Sequence, residues 1–135
     1  MDTNELVERL NRLLEAERAG VVVMNDLAKE EDDGVVKERL FEIRNDEGKY
    51  CAGLVGMIRE RGEAPTDTTG DFVGKVRALE KKEEKLSLLI RGQEWVVRKV
   101  REIPLELLEA PEREFVSDMI EGHEVNIAYV RSLIE

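Results

Sequence analysis

The chain has 135 residues, of which 41% are hydrophobic and 39% are charged, and its formal net charge is −10. This length is sufficient for one domain with a buried core, predicted to span residues 1–135. The acidic balance disfavours binding to nucleic acids and to anionic membrane surfaces, because both are negatively charged. A lone cysteine, Cys51, excludes an intramolecular disulfide and a Cys-x-x-Cys site. The apolar runs reach only about five residues, whereas a membrane span needs roughly 20. The first residues have neither the basic nor the apolar segment of a signal sequence, so a cytoplasmic protein is expected.

Helical periodicity predicts four amphipathic helices and no strands. The first helix is expected from about Asn4 to Lys29, after a cap at Thr3 or Asn4. The second is expected from about Val35 to Arg61, with Gly62 as the residue that ends it. These two helices are joined by a short polar turn, which makes them antiparallel neighbours.

The polar stretch 62–71 is the longest loop, and Asp71 is predicted to cap a third helix over residues 72–101. The length of this loop allows it either to cross the bundle from end to end or to turn back on itself. A short segment, LELLEA, then forms a helical turn or two. The fourth helix is predicted to begin near Pro111, since proline suits the first turn, and to continue to the C-terminus.

Each predicted helix carries a polar side chain in the middle of its apolar stripe. These interruptions are Glu17 on the first helix, Glu47 and Tyr50 on the second, Glu83 and Gln93 on the third, and His123 on the fourth. A buried carboxylate is costly unless another group pairs with it. The four helices are therefore expected to meet at a polar layer between apolar layers.

Short motifs surround these polar positions: LLEAERAG on the first helix, DEGKYC on the second, RGQEWVVRK on the third and HEVNI on the fourth. With these motifs the chain resembles the ferritin-like superfamily, and more narrowly a small bacterial ferritin-like family of unknown function. The resemblance implies an all-α, ferritin-like four-helix bundle of antiparallel helix pairs, with a short extra helical turn before the fourth helix.

The parent pattern of that superfamily places a Glu on the first and third helices and a Glu-x-x-His pair on the second and fourth. Carried over to this chain, the resemblance implies Glu17, Glu47 and His123 as candidate metal ligands. Tyr50 stands where the second helix should have its histidine. Ile120 stands where the fourth helix should have its glutamate.

The resemblance leaves the ligands of two helices undecided. On the third helix the ligand is either Gln93 or Glu94. On the fourth helix an alternative alignment of the motif uses Glu121 and Glu124 instead of His123. With Tyr50, these four residues are expected to support a polar cluster around the candidate ligands.

Two main hypotheses about function follow. The first is a non-enzymatic bundle, with no catalytic residues, in which a degenerate metal site is replaced by a buried polar cluster. The alternative is a di-iron or manganese carboxylate metalloprotein, either an oxidoreductase or a metal-binding protein. A third reading, small-molecule binding, requires a cavity level with Gly48, Gly53 and Gly92. The expected partner is a second copy of the chain, in a homodimer.

Overall fold

The computed structural model describes residues 1–135 and contains five α-helices and one short 3₁₀ turn, with no strand. The α-helices are α1 (Thr3–Glu30), α2 (Gly34–Glu60), α3 (Phe72–Arg77), α4 (Lys82–Arg101) and α5 (Ala110–Ser132), and the 3₁₀ turn at Leu105–Leu107 precedes α5. The four long helices form a bundle, which confirms the predicted all-α class and the extra turn before the last helix. None of the helices is long and apolar enough to cross a membrane.

The third predicted helix is interrupted, which corrects the expectation of one continuous helix over 72–101. The ring of Phe72 lies against Gly92. In an unbroken helix these two residues would be about 30 Å apart, at a rise of 1.5 Å per residue. The segment between α3 and α4 contains neither glycine nor proline. The break therefore reflects tertiary contacts, which hold α3 against α1 through an ion pair between Arg77 and Asp26.

Aspartate side chains begin the first two helices. Asp2 accepts a hydrogen bond from the backbone of Glu5, and Asp33 accepts from the backbone of Val35, so the cap of α1 lies just before the predicted one. Asp71 makes no side-chain cap bond to α3, contrary to the prediction.

Two apolar layers are stacked along the bundle, and each is built from all four long helices. The first layer includes Leu10 of α1, Leu54 of α2, Val96 of α4 and Met119 of α5. The second includes Met24 of α1, Leu40 of α2, Ile90 of α4 and Val130 of α5. Hence α1 and α5 run in one direction and α2 and α4 in the other. Because α2 ends in the first layer and α4 begins in the second, the chain between them must travel the length of the bundle.

This connection, residues 61–81, is called the crossover. Gly62 has a φ of 76°, so it ends α2 in the left-handed conformation that glycine adopts readily. Further along, the backbone N–H of Thr66 donates to Asn11 (2.7 Å) and its hydroxyl donates to Glu15 (2.8 Å), while Arg18 donates to its carbonyl oxygen. The crossover is thereby fastened to α1 and covers the groove between α1 and α4.

Candidate functional site: a buried polar layer

The four long helices meet in a polar layer between the two apolar layers. Each helix contributes one buried side chain with 1–5% of its surface exposed: Glu17 from α1, Glu47 from α2, Gln93 from α4 and His123 from α5. Each of these side chains follows the helical periodicity of the apolar residues before and after it. Their burial means that every polar atom needs a partner from the protein or from a ligand.

The only histidine is held between two hydrogen-bond acceptors. Its Nε2 atom lies 2.8 Å from Glu17 Oε1, and its Nδ1 atom lies 2.9 Å from the carbonyl oxygen of Met119. A neutral imidazole has one donor nitrogen, so with an ionised Glu17 only the imidazolium form satisfies both contacts. Burial lowers the pKa of His123, but the charge and hydrogen bond of Glu17 and the charge of Glu47 outweigh burial and raise that pKa to about 9. His123 and Glu17 therefore form a buried ion pair.

Glu47 is paired with an amide instead of a cation. Gln93 Nε2 donates to Glu47 Oε1 at 2.6 Å. Burial, and then repulsion by the nearby Glu17 carboxylate, raises the pKa of Glu47 well above its usual value. Gly20 makes this position possible, because a Cβ atom at Gly20 would collide with the Glu47 carboxylate.

Three oxygen atoms in the layer have no hydrogen-bond partner within the chain. They are Glu17 Oε2, Glu47 Oε2 and Gln93 Oε1. Glu17 Oε2 and Gln93 Oε1 are acceptors, and Glu47 Oε2 is an acceptor when that carboxyl group is ionised. An acceptor that is buried without a donor costs about 1–3 kcal/mol, so this side of the layer is suited to a group that donates hydrogen bonds.

A second buried amide, Asn126, lies on α5 outside the layer and was not predicted from the sequence. Asn126 Nδ2 donates to Asp46 (3.2 Å), and Arg39 donates to Asn126 Oδ1 (3.1 Å). The available signal was its position three residues after His123, which places both side chains on one helix face.

Tyr50 packs against the layer without bonding to its carboxylates. Its ring centroid lies 5.0 Å from that of His123, and its hydroxyl lies where a Cβ of Gly122 would otherwise be. The neighbouring thiol of Cys51 is half-buried, and burial raises its pKa to about 12. A thiol with this pKa stays protonated and is a poor nucleophile near neutral pH.

Four other acidic side chains singled out in the sequence lie outside the layer. Glu83 and Glu121 are exposed. Glu94 forms an ion pair with Arg131 at 3.2 Å, and Glu124 forms one with Arg101. The helical phase explains these positions: Glu94 and Glu124 immediately follow Gln93 and His123, which turns them by about 100° from the core-facing stripe.

A cavity of about 420 Å³ lies between α1 and α4 under the crossover. Glu17, Glu47 and Gln93 line it, together with Gly92 and Trp95. It is therefore at the level of only one of the three glycines named in the small-molecule hypothesis. Of the other two, Gly48 is exposed, and the ring of Phe115 occupies the space beside Gly53.

The donor set does not fit a dinuclear carboxylate centre of the parent pattern. That pattern needs four glutamates and two histidines, whereas Tyr50, Gln93 and Ile120 replace three of the six. Both ring nitrogens of His123 are engaged by acceptors. No group of three or more His, Cys, Asp and Glu side chains is arranged to hold a metal ion.

Comparison with known proteins identifies the family and the fold. A search of the curated proteins finds no match. A solved structure described as a ferritin-like, diiron-carboxylate protein from Bacillus anthracis str. Ames superposes with a TM-score of 0.82, at 20% identity and over 100% of both chains. This similarity establishes the ferritin-like fold. A family model covers residues 4–132, so the chain belongs to the family described as Domain of unknown function (DUF6306).

Proposed function

We propose that this chain is a non-enzymatic ferritin-like protein in which the polar layer takes the place of a dinuclear metal centre. The observation that supports this proposal best is the pair of acceptors around His123. An imidazolium has no free lone pair, so His123 would have to lose a proton and its ion pair with Glu17 before it could bind a metal. The replaced positions at Tyr50, Gln93 and Ile120 support the same conclusion.

Elemental analysis tests the proposal directly. The chain is produced in medium supplemented with iron and manganese, and the metal content of the purified protein is measured. We expect far less than one metal ion per chain. A variant that combines Tyr50→His, Gln93→Glu and Ile120→Glu restores the parent pattern and serves as a positive control for metal loading. Stoichiometric metal in the native chain, lost in Glu47→Ala, would contradict the proposal.

Such a result would support the alternative function, a di-iron or manganese carboxylate protein. One observation favours that alternative: Glu17 Oε2 and Glu47 Oε2 are buried acceptors without partners. A cation that reached both oxygens would be bound by Glu17, Glu47 and, after loss of its proton, His123. Metal binding would then release protons, which titration calorimetry in buffers of different ionisation enthalpy detects.

Self-association into a homodimer is a separate part of the proposal. Large apolar side chains are exposed at Met1, Val35, Leu105 and Val125, and an apolar helix face would be the contact surface. Light scattering coupled to size-exclusion chromatography measures the mass of the assembly. A mass equal to the 15.5 kDa of one chain at all concentrations would exclude the dimer.

A further inference from the structure

We propose that the cavity between α1 and α4 is a binding site for a small primary amine in its ammonium form. The inference rests on the proposed function, because a metal bound to the polar layer would occupy the same oxygens. Glu17, Glu47 and Gln93 form the inner end of the cavity, which is called the floor.

The floor offers three oxygen atoms without hydrogen-bond partners, and all three are acceptors once Glu47 is ionised. Glu17 Oε2, Glu47 Oε2 and Gln93 Oε1 are all buried and without partners. A primary ammonium group carries three N–H donors and no acceptor, so its donor number matches the number of unpartnered oxygens. A carboxylate or phosphate would instead place further acceptors against these three.

The balance of charge also favours a cation. At the rim of the cavity, Arg12 pairs with Glu15 (3.1 Å) and Lys75 with Asp71 (3.6 Å). In the floor, Glu17 pairs with His123 (2.8 Å). Glu47 is the acidic side chain of the cavity that has no cationic partner, and only an amide contacts it. Because burial and the charge of Glu17 raise the pKa of Glu47, this carboxyl group keeps its proton to a higher pH when no amine is bound. An ammonium ion would replace that proton as the partner of the carboxylate.

A metal ion is the competing occupant of these oxygens. It would need bonds of about 2.0–2.6 Å, and no group of three or more His, Cys, Asp and Glu side chains is arranged to hold one. Hydrogen bonds from an ammonium group are longer, about 2.7–2.9 Å, and an ammonium group also accepts the amide oxygen of Gln93 as a partner.

The walls of the cavity suit an apolar stem on the amine. Ala16, Leu89 and Val96 line it beside the aromatic rings of Phe72 and Trp95. The volume of about 420 Å³ is within the range of about 300–1,000 Å³ typical of small-molecule sites. The amine would therefore place its charged group on the floor and its hydrocarbon part between α1 and α4.

The test is a titration of metal-free protein with n-butylammonium chloride, followed by NMR. Trp95 is the only tryptophan and lines the cavity, so its indole N–H signal is assigned without ambiguity, and the cavity variants below show whether its shift comes from this site. We expect a saturable shift of this signal with butylammonium and no shift with butyrate. 1-Butanol, which retains one donor but no charge, should bind at least about tenfold more weakly than butylammonium. Equal binding of butyrate, or no saturable shift with butylammonium, would overturn the inference.

Two variants locate the site. Glu47→Gln removes the group that can ionise to pair with the ammonium, with little change of shape, and should weaken butylammonium binding by about tenfold or more. The matched control is Glu94→Gln, which changes the same residue type outside the layer and should bind as the native chain does. Should Glu47→Gln fail to fold by circular dichroism, Ala16→Leu provides a second variant that fills the cavity from its wall and should abolish binding. Unchanged binding in a folded cavity variant would refute the site.

Metal content, measured on the protein before metal is removed, separates this inference from the proposed function. Stoichiometric iron or manganese would overturn the proposed function. If the protein is purified without metal and does not bind butylammonium, only the inference about amines is overturned.

Discussion

Replacing Glu47 by glutamine should increase the stability of the bundle by an amount that grows with pH. Because burial and the charge of Glu17 raise the pKa of Glu47 well above 4.5, the folded chain holds a proton that the unfolded chain releases. The native free energy of unfolding therefore decreases as pH rises above 4.5, by up to about 1.4 kcal/mol per pH unit, until the pH passes the folded-state pKa. Glutamine cannot ionise and lacks this dependence.

The expected size of the effect follows from the interval of pH. Two units above the unfolded pKa, near pH 6.5, the pH-dependent advantage of Glu47→Gln reaches up to about 3 kcal/mol. A constant offset is added, because the new amide group places an N–H donor where the native carboxyl oxygen was. The slope of the difference against pH is therefore the diagnostic quantity.

Urea denaturation followed by circular dichroism, at several pH values between about 5 and 8, measures this slope. The control is Glu94→Gln, whose side chain is 42% exposed and should give a curve parallel to that of the native chain. Parallel curves for the native chain and Glu47→Gln would refute the reasoning. Loss of both stability and a bound metal in Glu47→Gln would show instead that Glu47 is a ligand.

Two further predictions concern neighbours of Glu47. The imidazole protons of His123, followed by NMR, should titrate near pH 9. Since the folded-state pKa is raised, the ion pair with Glu17 contributes fully below pH 6.5 and is lost as the pH rises through about 9. A midpoint at or below 6.5 would contradict the imidazolium assignment. Gly20→Ala should destabilise the chain by about 1–3 kcal/mol, because its Cβ collides with the buried Glu47 carboxylate, whereas the matched change Gly48→Ala, at an exposed helical position, should stabilise it by about 1 kcal/mol in thermal or urea unfolding.

The periodicity of the sequence was sufficient to find the residues of the polar layer. Glu17, Glu47, Gln93 and His123 each occupy the next core-facing position of an apolar stripe, and a helix long enough to be recognised fixes that position. Their pairing was not predictable, because it depends on the rotation and height of one helix relative to another. Tyr50, for example, was expected to support the polar cluster, but its ring packs on His123 and its hydroxyl makes no hydrogen bond to the carboxylates.

The interrupted helix shows a second limit of the sequence. The segment from Ala78 to Lys81 has good helix formers and no breaker, so local propensity favours continuation. The contacts that bend the chain there, with Asp26 and Gly92, come from distant parts of the sequence. By carrying the period through the break, the reading placed Glu83 on the core-facing stripe, although it is exposed. The cavity under the crossover was unpredictable for the same reason.

The position of the polar layer also determines how the four helices can align. A helix that slid by one turn, about 5.4 Å, would move its polar side chain into an apolar layer and bring leucine, valine or methionine opposite the unpaired partners. Leaving a buried charge without its partner costs about 3–5 kcal/mol, which is a large share of the stability of a small domain. The layer therefore fixes the axial register of the four helices. It selects one alignment along the bundle axis among the several that apolar packing alone would tolerate.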